Sequence, residues 1–173
     1  SEVASEVESI ADGLADAQNI ADKETLIVGE TDFEPMDYKD GDDWVGFDAD
    51  LAKAFAEYIG VDIEFVEIDW DNKVLELDNG NIDCVWNGMT LTDEVTSSIS
   101  CSKPYLNNAQ IVVVPVDAAD KYQDEDSLKD LTFAVESGSA GAAAAADLGA
   151  KTVEVQNQAS ALMEVAAGTA DAA

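Results

Sequence analysis

Short apolar runs alternate with helical segments between residues 26 and 86, and this alternation narrows the folds that the chain can adopt. The predicted strands are residues 26–29, 61–67 and 82–86. The predicted helices are residues 47–58, with Phe47, Leu51, Phe55 and Ile59 at four-residue steps, and residues 71–78. Strand, helix, strand, helix and strand in this order predict parallel strands joined by right-handed crossovers, which is an α/β fold.

The same rhythm continues in the second half of the chain. The predicted elements are strands at 132–135 and 152–155, an Ala-rich helix ending at 148, a helix at 160–167, and a short helical turn capped by Ser127. Gly149 and Gly168 are placed to end the two longer helices. The sequence stops at residue 173, where the rhythm predicts a further strand, so we expect the second half to be incomplete.

The stretch from residue 82 to 105 has the features of a ligand site. Its apolar strand is broken by Asn87-Gly88, and polar residues follow, with Thr92 placed to cap a short helix. Free N–H groups at a helix start favour an anion, and ligands of open α/β sheets bind beyond the carboxyl ends of the strands. The spacing is equally typical of an ordinary strand–loop–helix connection.

Charge excludes several classes of function. The chain has 38 Asp and Glu residues against 8 basic residues, which gives a formal net charge of −30. All the basic residues are Lys, and His is absent. Such a chain repels nucleic acid and anionic membrane surfaces. It also lacks the side chains for His-based general base catalysis, His metal ligation and Arg clamps.

Residues 1–22 differ from the rest, because a narrow apolar seam repeats there at alternate steps of four and three. We interpret them as a solvated helical spacer, with a short coiled coil as the alternative. The chain begins with Ser and shows no signal peptide, so we expect a processed form. No apolar run approaches the roughly 18 residues of a membrane span.

The sequence predicts no metal site. Cys84 and Cys101 match no zinc or redox spacing, and a bridge between them stays open. The acidic stretches 40–43 and 117–126 lack EF-hand spacing, and we interpret them as solvated loops. Asp48 and Asp50 are interpreted as a helix cap and a solvated face.

Three segments resemble the amino-acid solute-binding proteins of ABC transporters, of the family 3 type. They are GFDADLAKAFAEYIG, VEIDWDNKVLELDNGNIDCVWNGMTLTDE and CSKPYLNNAQIVVV, in that order. The resemblance implies a two-lobed, periplasmic-binding-protein-like (type II) α/β fold with parallel-rich sheets flanked by helices, incomplete at the C-terminus. It implies a spacer at 1–22, lobe 1 at 23–108 and a partial lobe 2 at 109–173, with a hinge near 107–110.

The resemblance also implies a ligand site and no catalytic residue, metal or cofactor. Phe33 and Trp70 match aromatics that pack on the ligand. The positions that bond the α-amino and α-carboxylate groups correspond to Asn87, Gly88 and Thr90, and the carboxylate-binding turn of lobe 2 corresponds to Ser137, Ser139 and Ala140.

One departure from the family pattern concerns the ligand carboxylate. Val95 stands where the family commonly has Arg. Losing a hydrogen bond to a charged group costs about 1.5–3 kcal/mol, roughly tenfold to a hundredfold in affinity. Two explanations follow. Either helix N-termini hold the anion alone, or the ligand is cationic, which would suit the acidic residues Glu30, Asp32, Glu34 and Glu136.

The resemblance therefore predicts an extracytoplasmic receptor, periplasmic or on the cell surface. It would capture a small polar solute, an amino acid or related cation, and deliver it to an ABC transporter permease, tethered as a lipoprotein through an upstream lipid anchor. One alternative is the ligand-sensing domain of a larger surface protein. Another is an enzyme on the same scaffold, such as a dehydratase, with Glu30, Glu94 or Glu136 as acid–base candidates but no His or nucleophile motif.

Overall fold

The computed structural model describes residues 22–173, so nearly all of the predicted spacer at 1–22 lies outside the described residues. The first lobe contains β1 (Thr25–Glu30), β2 (Tyr38–Asp40), β3 (Asp43–Val45), α1 (Phe47–Ile59), β4 (Asp62–Glu67), α2 (Lys73–Asp78), β5 (Cys84–Val85) and α3 (Asp93–Ser98). The second lobe contains β6 (Thr132–Glu136), α4 (Ala140–Asp147), β7 (Lys151–Val155) and α5 (Gln158–Ala167). Short 3₁₀ turns occupy Trp70–Asn72, Val116–Lys121 and Glu125–Leu128.

The first lobe is organised around β1, which pairs in parallel with β4 on one side and β5 on the other. The predicted parallel crossovers are therefore confirmed. Leu26 and Val28 of β1 pack against Ala52 and Ala56 of α1 in a fully buried cluster. Burying one such Leu or Val side chain stabilises the fold by about 1.5–3 kcal/mol.

Helix α1 begins after Gly46 and ends at Gly60, whose left-handed conformation (φ 79°) lets its N–H bond the Ala56 carbonyl, as the sequence predicts. The face that it buries is the predicted one only in part. Phe55 packs against the β1 cluster as predicted, but Phe47 and Leu51 are exposed, and the small residues at 49, 52 and 56 are buried. Ala brings the helix axis close to the strands, and Phe47 instead stacks on Tyr105 with ring centroids 6.3 Å apart.

In the second lobe, β6 and β7 pair in parallel and helices cover both faces of the sheet. On one face Phe133 and Val135 pack with Ala145 of α4. On the other face Ala134 packs with Ala161 and Val165 of α5. The last residues extend the sheet, because Ala172 forms a parallel bridge to Phe133 and Ala173 exchanges two backbone hydrogen bonds of 2.9 Å with Val113.

The structure corrects two local predictions and adds one element that was not predicted. The strand expected at 82–86 shortens to Cys84–Val85, because the Asp83 carboxylate replaces a ladder carbonyl by accepting from the Ile27 N–H at 2.9 Å. The 3₁₀ turn Glu125–Leu128 is capped by Asp124, and Ser127 only reciprocates that bond. The antiparallel hairpin β2–β3 was not predicted at all.

Within residues 22–173, every helix is too short or too polar to cross a membrane.

Candidate functional site

All eight predicted site residues lie just beyond the carboxyl ends of parallel strands. Phe33 follows β1, Trp70 follows β4, and Asn87, Gly88 and Thr90 follow β5. Ser137, Ser139 and Ala140 follow β6, where α4 begins. In open α/β sheets this edge is where ligands bind.

The strand-end edges of the two lobes face each other and touch. The Thr31 Oγ1 and Glu136 Oε1 atoms lie 3.3 Å apart. The Lys73 ammonium donates to the Gly138 carbonyl at 3.1 Å. The Gln156 amide donates to Asp69 at 3.4 Å. We call this zone, marked by these three pairs, the interlobe junction.

Phe33 and Gly88 are direct neighbours at the first-lobe side of the junction. Gly88 has φ +57°, and a Cβ placed on it would lie 3.1 Å from Phe33 Cε1, so glycine permits the aromatic ring to approach the backbone. The carboxylate of Asp48 accepts from the Tyr105 hydroxyl at 2.8 Å, and the nearby Gly88 backbone opposes the rise that burial causes in the pKa of Asp48.

The Asn87 side chain is engaged inside the first lobe. Its amide is buried and lies 2.6 Å from the Thr31 hydroxyl. With the amide nitrogen turned toward Asp37, it also donates to Asp37 Oδ2 at 2.6 Å. This side chain therefore ties the end of β5 to the end of β1.

Thr90 connects the first lobe to the segment between the lobes. Its hydroxyl accepts from the Asn108 amide at 2.7 Å and from the Gln110 amide at 3.4 Å. The Gln110 Oε1 atom in turn lies 3.2 Å from where a Cβ on Gly141 would be, inside the first turn of α4. Thr90 thus lies one side chain away from the start of α4.

At the start of α4, Ser139 and Ser137 use their hydroxyls differently. The Ser139 hydroxyl caps the helix by accepting from the Ala142 N–H at 3.0 Å. The Ser137 hydroxyl bonds Glu154 of β7 at 3.2 Å. Ala140 opens the helix, in the first turn where backbone N–H groups have no intrahelical partner.

Trp70 is buried and holds a lysine that was not predicted as a site residue. The Lys73 Nζ atom lies 4.8 Å from the centroid of the Trp70 ring and donates to the Trp70 carbonyl at 3.0 Å. Burial lowers the pKa of Lys73, while the charges of Asp71, Glu136 and Glu94 oppose that shift. A cation on an aromatic face is favourable, more so when it is desolvated.

Four carboxyl groups are buried near the strand ends: Glu30, Asp37, Asp48 and Glu136. Burial raises the pKa of Glu30 to about 9, with the Asp37 charge as the next cause. Burial likewise raises the pKa of Asp37 to about 7 and that of Glu136 to about 7, and it raises the pKa of Asp48. Interpreting Asp48 as a helix cap was wrong, because α1 starts after Gly46 with no side-chain cap, whereas Asp50 is exposed as predicted.

The buried carboxyl groups of Glu30 and Asp37 lie next to each other. No N–H or O–H group of the described residues bonds the Glu30 oxygens, but its carboxyl lies within hydrogen-bonding reach of Asp37. Two carboxyl groups can make that bond only when one carries a proton. Burial and the neighbouring Asp37 carboxylate therefore favour the protonated form of Glu30.

Comparison with known proteins identifies the family of this chain. Residues 26–170 match the model of the bacterial extracellular solute-binding proteins, family 3. The chain belongs to this family. It is 34% identical over 128 residues to the arginine-binding extracellular protein ArtP of Bacillus subtilis (strain 168), covering 73% of this chain and 49% of ArtP.

Two solved structures share the two-lobed fold of this solute-binding chain. One is an ancestral amino acid-binding protein, AncCDT-1, a precursor of cyclohexadienyl dehydratase, with a TM-score of 0.85, 38% identity, and 90% and 71% of the two chains covered. The other is holo ArgBP from T. maritima, with a TM-score of 0.83, 32% identity, and 90% and 70% covered. The chain spans half or less of the length of the first curated relatives.

Other surface features of this solute-binding chain lie apart from the junction. An open apolar groove of about 470 Å³ on the second lobe contains none of the predicted site residues; its lining comprises Val113, Val114, Pro115, Leu162, Val165, Ala166, Ala167 and Gly168. In the described part of the chain, no group of three or more acidic or Cys side chains is arranged to hold a metal ion. Cys84 and Cys101 are free thiols.

Sequence reasoning missed the roles of Lys73, Asp37 and Thr31. Lys73 follows Trp70 by one helical turn, and that i,i+3 spacing was the only local indication of a contact. Thr31 acquires its role through partners 56 and 105 residues away, and Asp37 is bonded by the side chain of Asn87 from the end of β5. Nothing in the local pattern specifies such partners.

Proposed function

We propose that this chain binds a free amino acid at the interlobe junction and presents it to a membrane permease of an ABC transporter. The observation that carries the proposal is the meeting of two strand-end edges, with Phe33 and Gly88 on one side and the start of α4 on the other. Membership of the solute-binding family supports it. A boundary between the two lobes at 108/109, with a hinge at 107–110, would let the lobes close on the ligand.

We assign the predicted site residues the following roles. Phe33 and Trp70 supply aromatic walls for the ligand side chain. Backbone groups of Gly88 and the hydroxyl of Thr90 hold the α-amino end. The first-turn N–H groups of α4, at Ala140, receive the α-carboxylate with the help of the helix dipole, and this arrangement compensates in part for Val95.

The ligand side chain that fits best is cationic. Glu136 is buried at the end of β6, where it meets the first lobe, and a neighbouring cation would favour its ionised form. ArtP is named for binding arginine, and ArgBP has been solved in an arginine-bound form, which supports the same choice. L-Arginine is therefore the first ligand to test, ahead of L-glutamine and L-glutamate.

Calorimetric titration and thermal shift with these three amino acids test the proposal. A specific ligand at a hundredfold excess over its Kd stabilises the folded state by about 2.7 kcal/mol. Trp70→Ala should remove L-arginine binding. The matched control is Trp44→Ala, because Trp44 has the same 7% exposure and also carries a lysine ammonium, 4.9 Å from its ring, but lies in the β2–β3 hairpin. Equal binding by Trp70→Ala and Trp44→Ala would contradict the assigned site.

The proposed role is binding without chemistry. The solute-binding family description and the absence of His support it. Catalysis should nevertheless be tested, because one structural neighbour is an ancestral precursor of a dehydratase and burial raises the pKa of Glu136. L-Arginine should be recovered unchanged after prolonged incubation with the protein, and any new product would refute this part of the proposal.

We place the protein outside the cytoplasm, as its family description implies, and propose an upstream lipid anchor as its tether. Labelling of intact source cells with an antibody tests the location. Release of the protein from the cells by a detergent-free buffer would argue against the anchor.

A further inference from the structure

Lys73 joins the two lobes through its ammonium group. It is the first residue of α2, and only 9% of it is exposed. Its Nζ atom donates to the Trp70 carbonyl at 3.0 Å within the first lobe. It also donates to the Gly138 carbonyl at 3.1 Å in the second lobe. One buried cation therefore bonds backbone on both sides of the junction.

The surroundings of this ammonium suit a charged group. Asp71 lies on the adjoining 3₁₀ turn, Glu94 on α3 and Glu136 at the end of β6, and all three favour its charged form against the effect of burial. The face of the Trp70 ring lies 4.8 Å away. Because Glu136 belongs to the second lobe, part of this stabilisation exists only while the lobes touch.

The backbone carbonyl that Lys73 bonds in the second lobe belongs to the turn before α4. Gly138 has φ +67°, and a Cβ on it would lie 2.5 Å from Asp71 Oδ1 and 2.8 Å from Asp71 Cα. The two lobes are thus in close contact at this point, and only glycine fits. Holding Gly138 fixes the start of α4 relative to Trp70.

We propose that Lys73 is a positioning residue that stabilises the closed arrangement of the lobes and thereby sets how long a bound ligand stays. The inference rests on the proposed function, because it concerns the same junction. Opening the lobes breaks the Lys73–Gly138 bond and separates the ammonium from Glu136. A bond of this charged type corresponds to about tenfold to a hundredfold in an equilibrium or a rate.

Lys73→Met tests the proposal, because it keeps most of the aliphatic stem and removes the charge and the donors. The matched control is Lys53→Met. Lys53 also bonds a backbone carbonyl, that of Trp44, and lies 5.7 Å from the Phe65 ring, but all of these groups belong to the first lobe. Lys73→Arg restores the charge and the donors.

The first measurement is the dissociation rate of L-arginine, followed by stopped-flow tryptophan fluorescence. We expect Lys73→Met to dissociate about ten to a hundred times faster than the unsubstituted chain, with the association rate changed less than threefold. Lys53→Met should dissociate at the original rate, and Lys73→Arg should recover most of the loss. Binding by the unsubstituted chain with an unchanged dissociation rate in Lys73→Met would overturn the inference.

The second measurement needs no ligand and separates the inference from the proposed function. Amide hydrogen exchange of the segment 137–143 reports whether the turn before α4 is held. Lys73→Met should accelerate exchange there by about tenfold, while Lys53→Met should not. If the unsubstituted chain binds no amino acid but shows this difference, the proposed function fails and the positioning role stands. Equal exchange in the two Met variants overturns the role.

Discussion

The buried carboxyl of Glu30 should make the stability of this protein fall as the pH rises. Glu30 ends β1 with its side chain fully buried, next to Asp37 and Asp48. Its pKa rises from an ordinary value of 4.5 to about 9, first through burial and then through the Asp37 charge. The change to test is Glu30→Gln, which keeps the shape and removes the titration.

The sign and the size follow from proton linkage. Between these two pKa values the folded state holds a proton that the unfolded state has lost, so raising the pH favours unfolding. One such proton lowers the free energy of unfolding by about 1.4 kcal/mol per pH unit, or at most about 2.7 kcal/mol from pH 5.5 to pH 7.5. Because Asp37 shares part of this titration, we expect Glu30→Gln to remove roughly 1–2.5 kcal/mol of the decline.

Urea unfolding followed by tryptophan fluorescence, repeated across this pH range, measures the effect. Glu57→Gln is the control: Glu57 is exposed on α1, and its substitution removes the same carboxyl group from the unfolded chain. The control should keep the slope of the unsubstituted chain. Parallel profiles for Glu30→Gln and the unsubstituted chain would show that the buried carboxyl does not titrate as described.

Two further substitutions probe the junction and its support. Tyr105→Phe removes the hydroxyl that donates to buried Asp48 at 2.8 Å, and it should lower the free energy of unfolding in urea by about 1–3 kcal/mol. The control is Tyr58→Phe, at a residue that is 87% exposed, which should lower it by less than about 0.5 kcal/mol, as is usual for surface changes. Gly138→Ala and Gly60→Ala both place a side chain at positive φ, but only the former meets the other lobe, 2.5 Å from Asp71 Oδ1. Gly138→Ala should therefore weaken L-arginine binding in a calorimetric titration by about tenfold or more while Gly60→Ala does not, and equal affinities would argue against closure at this turn.

The elements that sequence reasoning predicted well are those specified by neighbouring residues. The strand β1, the end of α1 at Gly60 and the cap of α3 by Thr92 each depend on a few consecutive side chains. The hairpin β2–β3 was missed because its strands have three residues each, too few to show a period of two. The buried face of α1 was predicted only in part, because Phe55 packs in the core but the alanines beside it bury more completely than Phe47 and Leu51.

The candidate site divides in the same way. Residues that follow strands, such as Phe33, Trp70 and Thr90, could be predicted to lie beyond one edge of the sheet, because parallel strands end there. Their roles at the junction remain proposals. The chemistry of Asp37 and Lys73 could not be predicted, because an ionisable side chain looks the same in a sequence whether it is solvated or buried.

The sequence by itself determined the parallel α/β plan, the helix caps and the excess of negative charge, since each is a property of consecutive residues or of their sum. Only the tertiary structure decided which of the 38 acidic residues are buried and desolvated, and which lysine bonds both lobes. Lys73 and Gly138 are 65 residues apart, and Thr31 and Glu136 are 105 apart. Such pairs meet because helical crossovers bring distant strand ends together, and burial there shifts a pKa by more than any local neighbour can.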